Sequence, residues 1–272
     1  MSRLCLYACL ACLLVGQGVA SADPVTYAVT STGQFGSLDL GTGAFTAIGG
    51  VHDGGYPGIG NLADGTLVGV DGLNNFVQFD RTTGAVTTIG PTGITAEGFA
   101  SLLTGQLYAI NDQNQLFKIN PNTGAATLVG SMGIPFAGFA ANGIAGDATT
   151  FYYLWESTTI PSTLYKVDLN TGLATAVGPT GTTLLAGAGF ADGTLYAYSA
   201  SATHQIFTID LATGAATPGP TYSQQIAIFG SNSGLPAPTQ GGGEIPEPST
   251  LALLGLGTLG LLSYGWRRRS MG

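Results

Sequence analysis

The chain has 272 residues, of which 8% are charged and 44 are Gly. That is too little Lys, Glu and Arg for a helical protein, whose exposed faces those residues normally form. The formal charge of −8 understates the acidity of the body, because only Arg81, Lys118 and Lys166 lie between Arg3 and the terminal Arg267, Arg268 and Arg269; without a basic patch, nucleic acid is excluded as a natural partner.

Residues 1–22 read as a secretory signal helix. Arg3 supplies a positive start, Leu4 to Val15 a short apolar run, and Ala20-Ser21-Ala22 the small side chains that signal peptidase requires, with Asp23 as the new N-terminus. The apolar run is too short for a lasting membrane span. Cys5, Cys9 and Cys12 all fall within this leader, so the mature protein is expected to carry neither a disulfide nor thiol chemistry.

From 23 to 232 the chain repeats. Asp-x-x-Thr-Gly recurs at Asp39–Gly43, Asp80–Gly84, Asp168–Gly172 and Asp210–Gly214, and as Asn120–Gly124 with Asn in the lead. A period near 42 residues is that of one propeller blade. Before each motif an apolar side chain alternates with a polar one: Val77-Gln78-Phe79, Phe117-Lys118-Ile119, Tyr165-Lys166-Val167 and Phe207-Thr208-Ile209. Such alternation is a strand with one face more buried. Three residues after each Gly stands a Thr, in a short β-branched segment suited to an outer strand. The motif itself is a hairpin turn, in which the Asp or Asn accepts backbone N–H groups and the Gly takes the left-handed conformation.

Two further strand signals precede each hairpin, as in Gly98-Phe99-Ala100 with Gln106-Leu107-Tyr108-Ala109. The first repeat lacks its innermost strand and begins at Tyr27-Ala28-Val29. A lone strand, Gln225 to Phe229, ends the body and would supply it, removing an open sheet edge. The expected fold is all-β: a five-bladed β-propeller of four-stranded blades, flanked by the signal helix and a C-terminal membrane helix. An open β-solenoid or a sandwich is the competing architecture. The body resembles the wider β-propeller superfamily, although Pro218-Gly219-Pro220 departs from the strand pattern of the other repeats.

Residues 233–244 have the Gly, Pro, Ser, Thr and Gln content of a flexible linker. Pro246-Glu247-Pro248 follows, then the apolar run 250–266, then Arg267, Arg268 and Arg269. As a helix that run would span ~25 Å, the low edge for a bilayer, with the arginines held on the cytoplasmic side. This three-part tail, residues 245–272, resembles the PEP-CTERM sorting signal. The resemblance implies recognition by an exosortase, cleavage near Pro246–Pro248, a transient tether to the inner membrane, and a final place at the cell surface or in an exopolysaccharide matrix.

No catalytic constellation is legible, and the protein is expected not to be an enzyme. His52 and His204 are its two histidines, too few for a zinc site of three or four His/Cys ligands, and no metal or cofactor is expected. In a propeller, the loops between strands two and three and those between blades open at the same end. There the polar residues vary most: His52, Asp53, Asp71, Asp112, Trp155, Glu156 and His204. Loops on a rigid scaffold carry function, so these are the candidate ligand-binding residues. A lectin-like carbohydrate-binding propeller and, less favoured, a propeller hydrolase or lyase are the competing functions.

Overall fold

A computed structural model describes residues 24–52, 55–134 and 143–222, and the backbone of 228–236. The expected signal and membrane helices lie outside these residues, and every described element is a strand. The chain opens with β1 (Val25–Thr30), β2 (Gln34–Asp39) and β3 (Phe45–Val51). Next come β4 (Gly58–Asn61), β5 (Leu67–Val70), β6 (Asn75–Phe79) and β7 (Val86–Pro91), then β8 (Ala96–Ser101), β9 (Leu107–Asn111), β10 (Gln115–Ile119) and β11 (Ala126–Ser131). The fourth group is β12 (Gly143–Gly146), β13 (Phe151–Trp155), β14 (Thr163–Val167) and β15 (Ala174–Pro179). The last is β16 (Leu185–Ala191), β17 (Thr194–Ser199), β18 (Gln205–Ile209) and β19 (Ala216–Thr221), followed by β20 (Ile228–Pro236).

Each group of four is one antiparallel meander, and β20 joins β1, β2 and β3 as the innermost strand of the first blade. Five blades of four strands result. The closing strand differs from the expectation in position: β20 starts at Ile228 and reaches Pro236, where it pairs with Thr26, so it runs past residue 232 into the segment expected to be linker. Of the expected strand, residues 225–227 lie outside the described residues. β20 also pairs in parallel with β16, Ala188 against Gly230, which joins the first and last blades into one eight-stranded sheet. The β-propeller architecture replaces the solenoid and sandwich alternatives, because a ring of inner strands closes on itself through this strand.

The repeated hairpins form as their chemistry requires. Asp80 Oδ1 accepts the N–H groups of Thr82 and Thr83, both at 2.8 Å. Asp39, Asp168 and Asp210 accept the two corresponding N–H groups in their own turns. Thr83 Oγ1 in turn accepts the N–H of Ala85 at 3.3 Å, and the Thr of every copy does the same, which explains why the motif needs Thr as well as Asp. The five motif glycines have φ between 72° and 82°. Those hydrogen bonds hold the carboxyls of Asp80, Asp168 and Asp210 below the ordinary carboxylate range.

A blade buries its faces only against its neighbours, and the core is divided accordingly into five clusters, one per interface. Between the first two blades Phe35 lies 5.0 Å from Phe79, ring centre to ring centre, and Tyr56 lies 5.1 Å from the same ring. Backbones also meet. In four blades the hairpin Gly sits against the outer strand of the blade before it, Gly84 on Ile48 and Gly49, Gly124 on Gly90, Gly172 on Gly130 and Gly214 on Gly178, while Gly43 meets Thr221 and closes the ring. Outer strands therefore run head to tail around the rim, and Ala126, Ala174 and Ala216 donate their N–H groups to Thr92, Met132 and Thr180 of the preceding blade. Each outer strand carries a register shift, as between Phe76↔Gly90 and Val77↔Thr88, leaving Ile89 unpaired. This bulge twists the strand end toward its neighbour.

Two predictions follow from the turns. A Cβ at Gly172 would lie 2.8–2.9 Å from the backbone of Gly130, at a φ of 79°. Gly172→Ala should therefore destabilise the ring by about 2 kcal/mol or more, seen as a lower thermal midpoint. Because the three shifted turn carboxyls hold lowered pKa values in the fold, their contribution is present above the ordinary carboxylate pKa and is lost as pH falls through the folded values. Replacing Asp80, Asp168 and Asp210 by Asn, the residue the third repeat already uses at Asn120, should flatten the acid limb of a stability–pH profile.

Candidate functional site

The turns between strands two and three and the crossings between blades do lie at one end of the propeller, because they hydrogen-bond to each other. The N–H groups of His52, Thr92, Met132, Thr180 and Tyr222, each just beyond an outer strand, donate to the carbonyls of Gly33, Asn74, Asn114, Ser162 and His204, each just before a third strand. Gly33, Asn74, Asn114 and His204 all have positive φ, which Gly and Asn tolerate better than other residues. His204 thus occupies the left-handed turn position, its ring set edge-on to Tyr222 at 5.3 Å. Its Nδ1 is buried and has no hydrogen-bond partner.

The candidate residues fall into separate groups rather than one centre. His52 Nε2 sits 3.0 Å from the carbonyl oxygen of Gly84. Since a carbonyl only accepts, Nε2 carries the proton and the ring clamps the second blade's hairpin to the first blade. His52 also lies edge-on to Tyr56 at 6.2 Å. The Tyr56 phenol is pushed up to about 12, by burial first and by the nearby Asp71 charge second. Asp71 is tied into its own turn: Oδ1 accepts the N–H groups of Leu73 and Asn75, and Oδ2 accepts an Asn75 side-chain N–H at 3.1 Å. Asp53 lies outside the described residues.

Asp112 is exposed at the tip of the third blade's turn. Its charge, secondary to burial, raises the carboxyl of Glu97. In the fourth blade Glu156 is only 4% exposed, and burial lifts its carboxyl to about 7. Its neighbour Trp155 is half-buried at the end of β13. Among the described residues, no three His, Cys, Asp or Glu side chains converge as a metal site.

Sequence reasoning passed over Asn114 and Tyr153. Asn114 is fully buried; its Oδ1 accepts the Tyr153 hydroxyl at 3.2 Å across the interface of blades three and four. The signal was present, since Asn114 aligns with Gly33 and Asn74 one residue before a third strand. Asp64-Gly65 and Asp192-Gly193 are plain turns, as their composition suggests. Asp64 Oδ1 accepts the Thr66 N–H, and Asp192 and Gly193 both have positive φ, the two-residue hairpin geometry that matches strand twist.

A cleft of about 310 Å³ opens at the opposite end, on the second blade, lined by Asp64, Thr66, Gln78, Asp80, Arg81 and Thr82 among others. Arg81 stands where the other motif copies have Leu or Pro, so this cleft is the one place where a hairpin carries a cation.

Residues 103–236 match a family described as a repeat of unknown function (DUF6923). Residues 244–269 match the PEP-CTERM protein-sorting motif. None of the curated proteins is similar to the chain in sequence. Among solved structures, one chain of a nidogen/laminin complex is similar with a TM-score of 0.53 and 12% identity, over 76% of this chain and 97% of that one. A glutaminyl cyclase from Myxococcus xanthus gives 0.46 and 16%, over 65% and 69%. At such identities the first likeness speaks for the fold alone. The chain is a five-bladed β-propeller that carries a PEP-CTERM sorting motif, the mark of an exported surface protein.

Proposed function

We propose that the protein is a non-enzymatic module of the bacterial surface, delivered through its tail and binding polysaccharide there. In this reading signal peptidase removes residues 1–22. The helix 250–266 tethers the chain to the inner membrane, and an exosortase cuts near Pro246–Pro248. The observation that carries it is the sorting motif at 244–269, which begins eight residues after the strand that completes the propeller. An isolated signal would be compatible with many bodies. Here it follows a closed ring whose loop-end polar residues, Asp71, Asn74, Asn111 and Asn114, are engaged in holding turns and interfaces.

A binding role suits such a body better than catalysis. The candidate catalytic groups Asp71, Asp112 and His204 belong to three different blades, each in its own turn. The cleft of the second blade offers acceptors in Asp64 and Asp80 and donors in Gln78 and Arg81. Sugar hydroxyls both donate and accept, so a polysaccharide fits that mixture better than a purely anionic or purely cationic ligand. In this reading the binding surface lies at the hairpin end, and the lectin-like function is its specific form.

Mass spectrometry of the protein recovered from its native envelope tests delivery. Termini at Asp23 and near Pro246 are expected, whereas a product intact through Gly272 would argue for a permanent anchor. Retention on the organism's own surface polysaccharide tests binding. Arg81→Ala combined with Gln78→Ala should weaken retention by about tenfold, the loss of one or two charge-assisted or neutral hydrogen bonds. Unchanged retention would remove the cleft from the proposal.

A further inference from the structure

Strand register lines up one position across the five blades. Opposite a polar residue of strand three stands a tyrosine of strand two: Tyr27 faces Ser37, Tyr108 faces Lys118, Tyr152 faces Lys166 and Tyr196 faces Thr208. The second blade departs from this, with Val68 opposite Gln78. Two of the phenols show where a tyrosine at this position reaches. Tyr108 donates to Gln106 Oε1 and Tyr152 to Asp147 Oδ2, both at 3.1 Å. Gln106 and Asp147 lie in the turns between strands one and two, at the hairpin end of the ring. Gln106 comes two residues before Tyr108, as Thr66 comes two before Val68.

Val68 is fully buried and belongs to the core cluster shared with Phe99, Leu107 and Ile119 of the third blade. Its methyl groups stop short of the Asp64–Thr66 turn that a tyrosine here would reach. Alternate residues of a strand share a face. Leu67 and Phe79 are buried in the cluster shared with the first blade, so Thr66, Val68 and Gln78 lie on the face turned to the third. The cleft of about 310 Å³ is lined by Thr66 and Gln78, which flank the place of the absent phenol, and by Asp64, Asp80, Arg81 and Thr82.

We propose that this cleft is the seat of a missing tyrosine ring and takes an uncharged pyranose ring of the polysaccharide in its place, with Val68 as the residue that opens it. The inference rests on the reading of this cleft as a polysaccharide site and adds which sugar it accepts. A pyranose has roughly the outline of a phenol but carries hydroxyls around its edge. The lining suits that edge. Hydrogen bonds within their own turns hold Asp64 and Asp80 below the ordinary carboxylate range, so both are charged and only accept. Arg81 only donates, and it has no ion pair or hydrogen bond among the described residues. A uronate would meet the two carboxylates and an amino sugar would meet the guanidinium. Neutral hydroxyls, which donate and accept, incur neither repulsion. The volume is at the small end for ligand sites, so one sugar residue enters from a chain end or a side branch.

Retention of the protein on the organism's own surface polysaccharide, with free sugars as competitors, tests this. Val68→Tyr supplies the residue of the other four blades and leaves Arg81, Gln78 and both carboxylates in place. It should cut retention by about tenfold or more with the thermal midpoint unchanged. Thr66→Gln, at a half-buried turn position where the third blade has Gln106, narrows the cleft from its mouth. It should weaken retention in the same direction, and it decides the matter where Val68→Tyr does not fold. Neutral methyl hexosides should displace the wild-type protein, whereas polygalacturonate and glucosamine should not. Unchanged retention in a folded Val68→Tyr variant, or displacement by the charged sugars alone, overturns the inference. The polysaccharide reading itself still stands in that case if Arg81→Ala with Gln78→Ala weakens retention. Absence of retention in the wild-type protein overturns both.

Discussion

Backbone contact between neighbouring blades is the constraint from which the rest of the molecule follows. A four-stranded twisted sheet exposes an apolar face on each side and is stable only when both are covered. Here coverage is supplied twice over. Interlocking apolar side chains form one cluster at every interface, and the hairpin glycines let the rim strands abut through bare backbone. The second device accounts for the composition. Inner-strand residues such as Gly58, whose Cβ would strike the Phe99 carbonyl of the next blade, do near the axis what the hairpin glycines do at the rim. A chain so rich in Gly forfeits conformational entropy on folding, and the close approach it permits is the compensation.

Closure places an unusual demand on one segment. β20 is the last strand of the body, yet it pairs with β1 at the other end of the sequence and with β16 alongside. Its contacts are the most distant in sequence in the protein, and such contacts form late. The first interface cannot be complete until residues up to Pro236 have joined β1. Those residues lie just before the segment that matches the sorting motif, so the ring is complete only once the chain up to that segment is present.

Much of this architecture was legible because it is repeated. Asp39, Asp80, Asp168 and Asp210 with their Thr and Gly partners mark the blades, and the missing first strand at Tyr27 foretells a closing one. What was not legible was the extent of β20, since Gly234, Leu235 and Pro236 have the composition of a linker and become a strand only by pairing with β1. The bulge at Ile89 was hidden for a related reason: the alternation of its strand looks unbroken in sequence, and only the partner's register exposes the extra residue. The candidate site was less legible still. Asn74, Asn114 and His204 are polar residues on loops, and the same residue types serve both a left-handed turn and a ligand. Sequence alone does not distinguish the two, because the deciding quantity is the φ angle and what the side chain meets across the blade interface.

Carboxylates make the distinction sharpest. In the hairpins of Asp80, Asp168 and Asp210, two N–H groups converge on the carboxylate, stabilise its charge and lower its pKa. At Glu156 the same functional group is enclosed without donors and is raised instead. The chemistry of the side chain is nearly identical; the difference is burial at Glu156 against exposed hydrogen bonding in the hairpins. A short turn returns its own N–H groups to the residue that starts it, as Asp71 and Asn111 show. In the longer connection of the fourth blade Trp155 stands at that position, and Ser157 Oγ accepts the N–H groups of Thr159 and Ile160 instead.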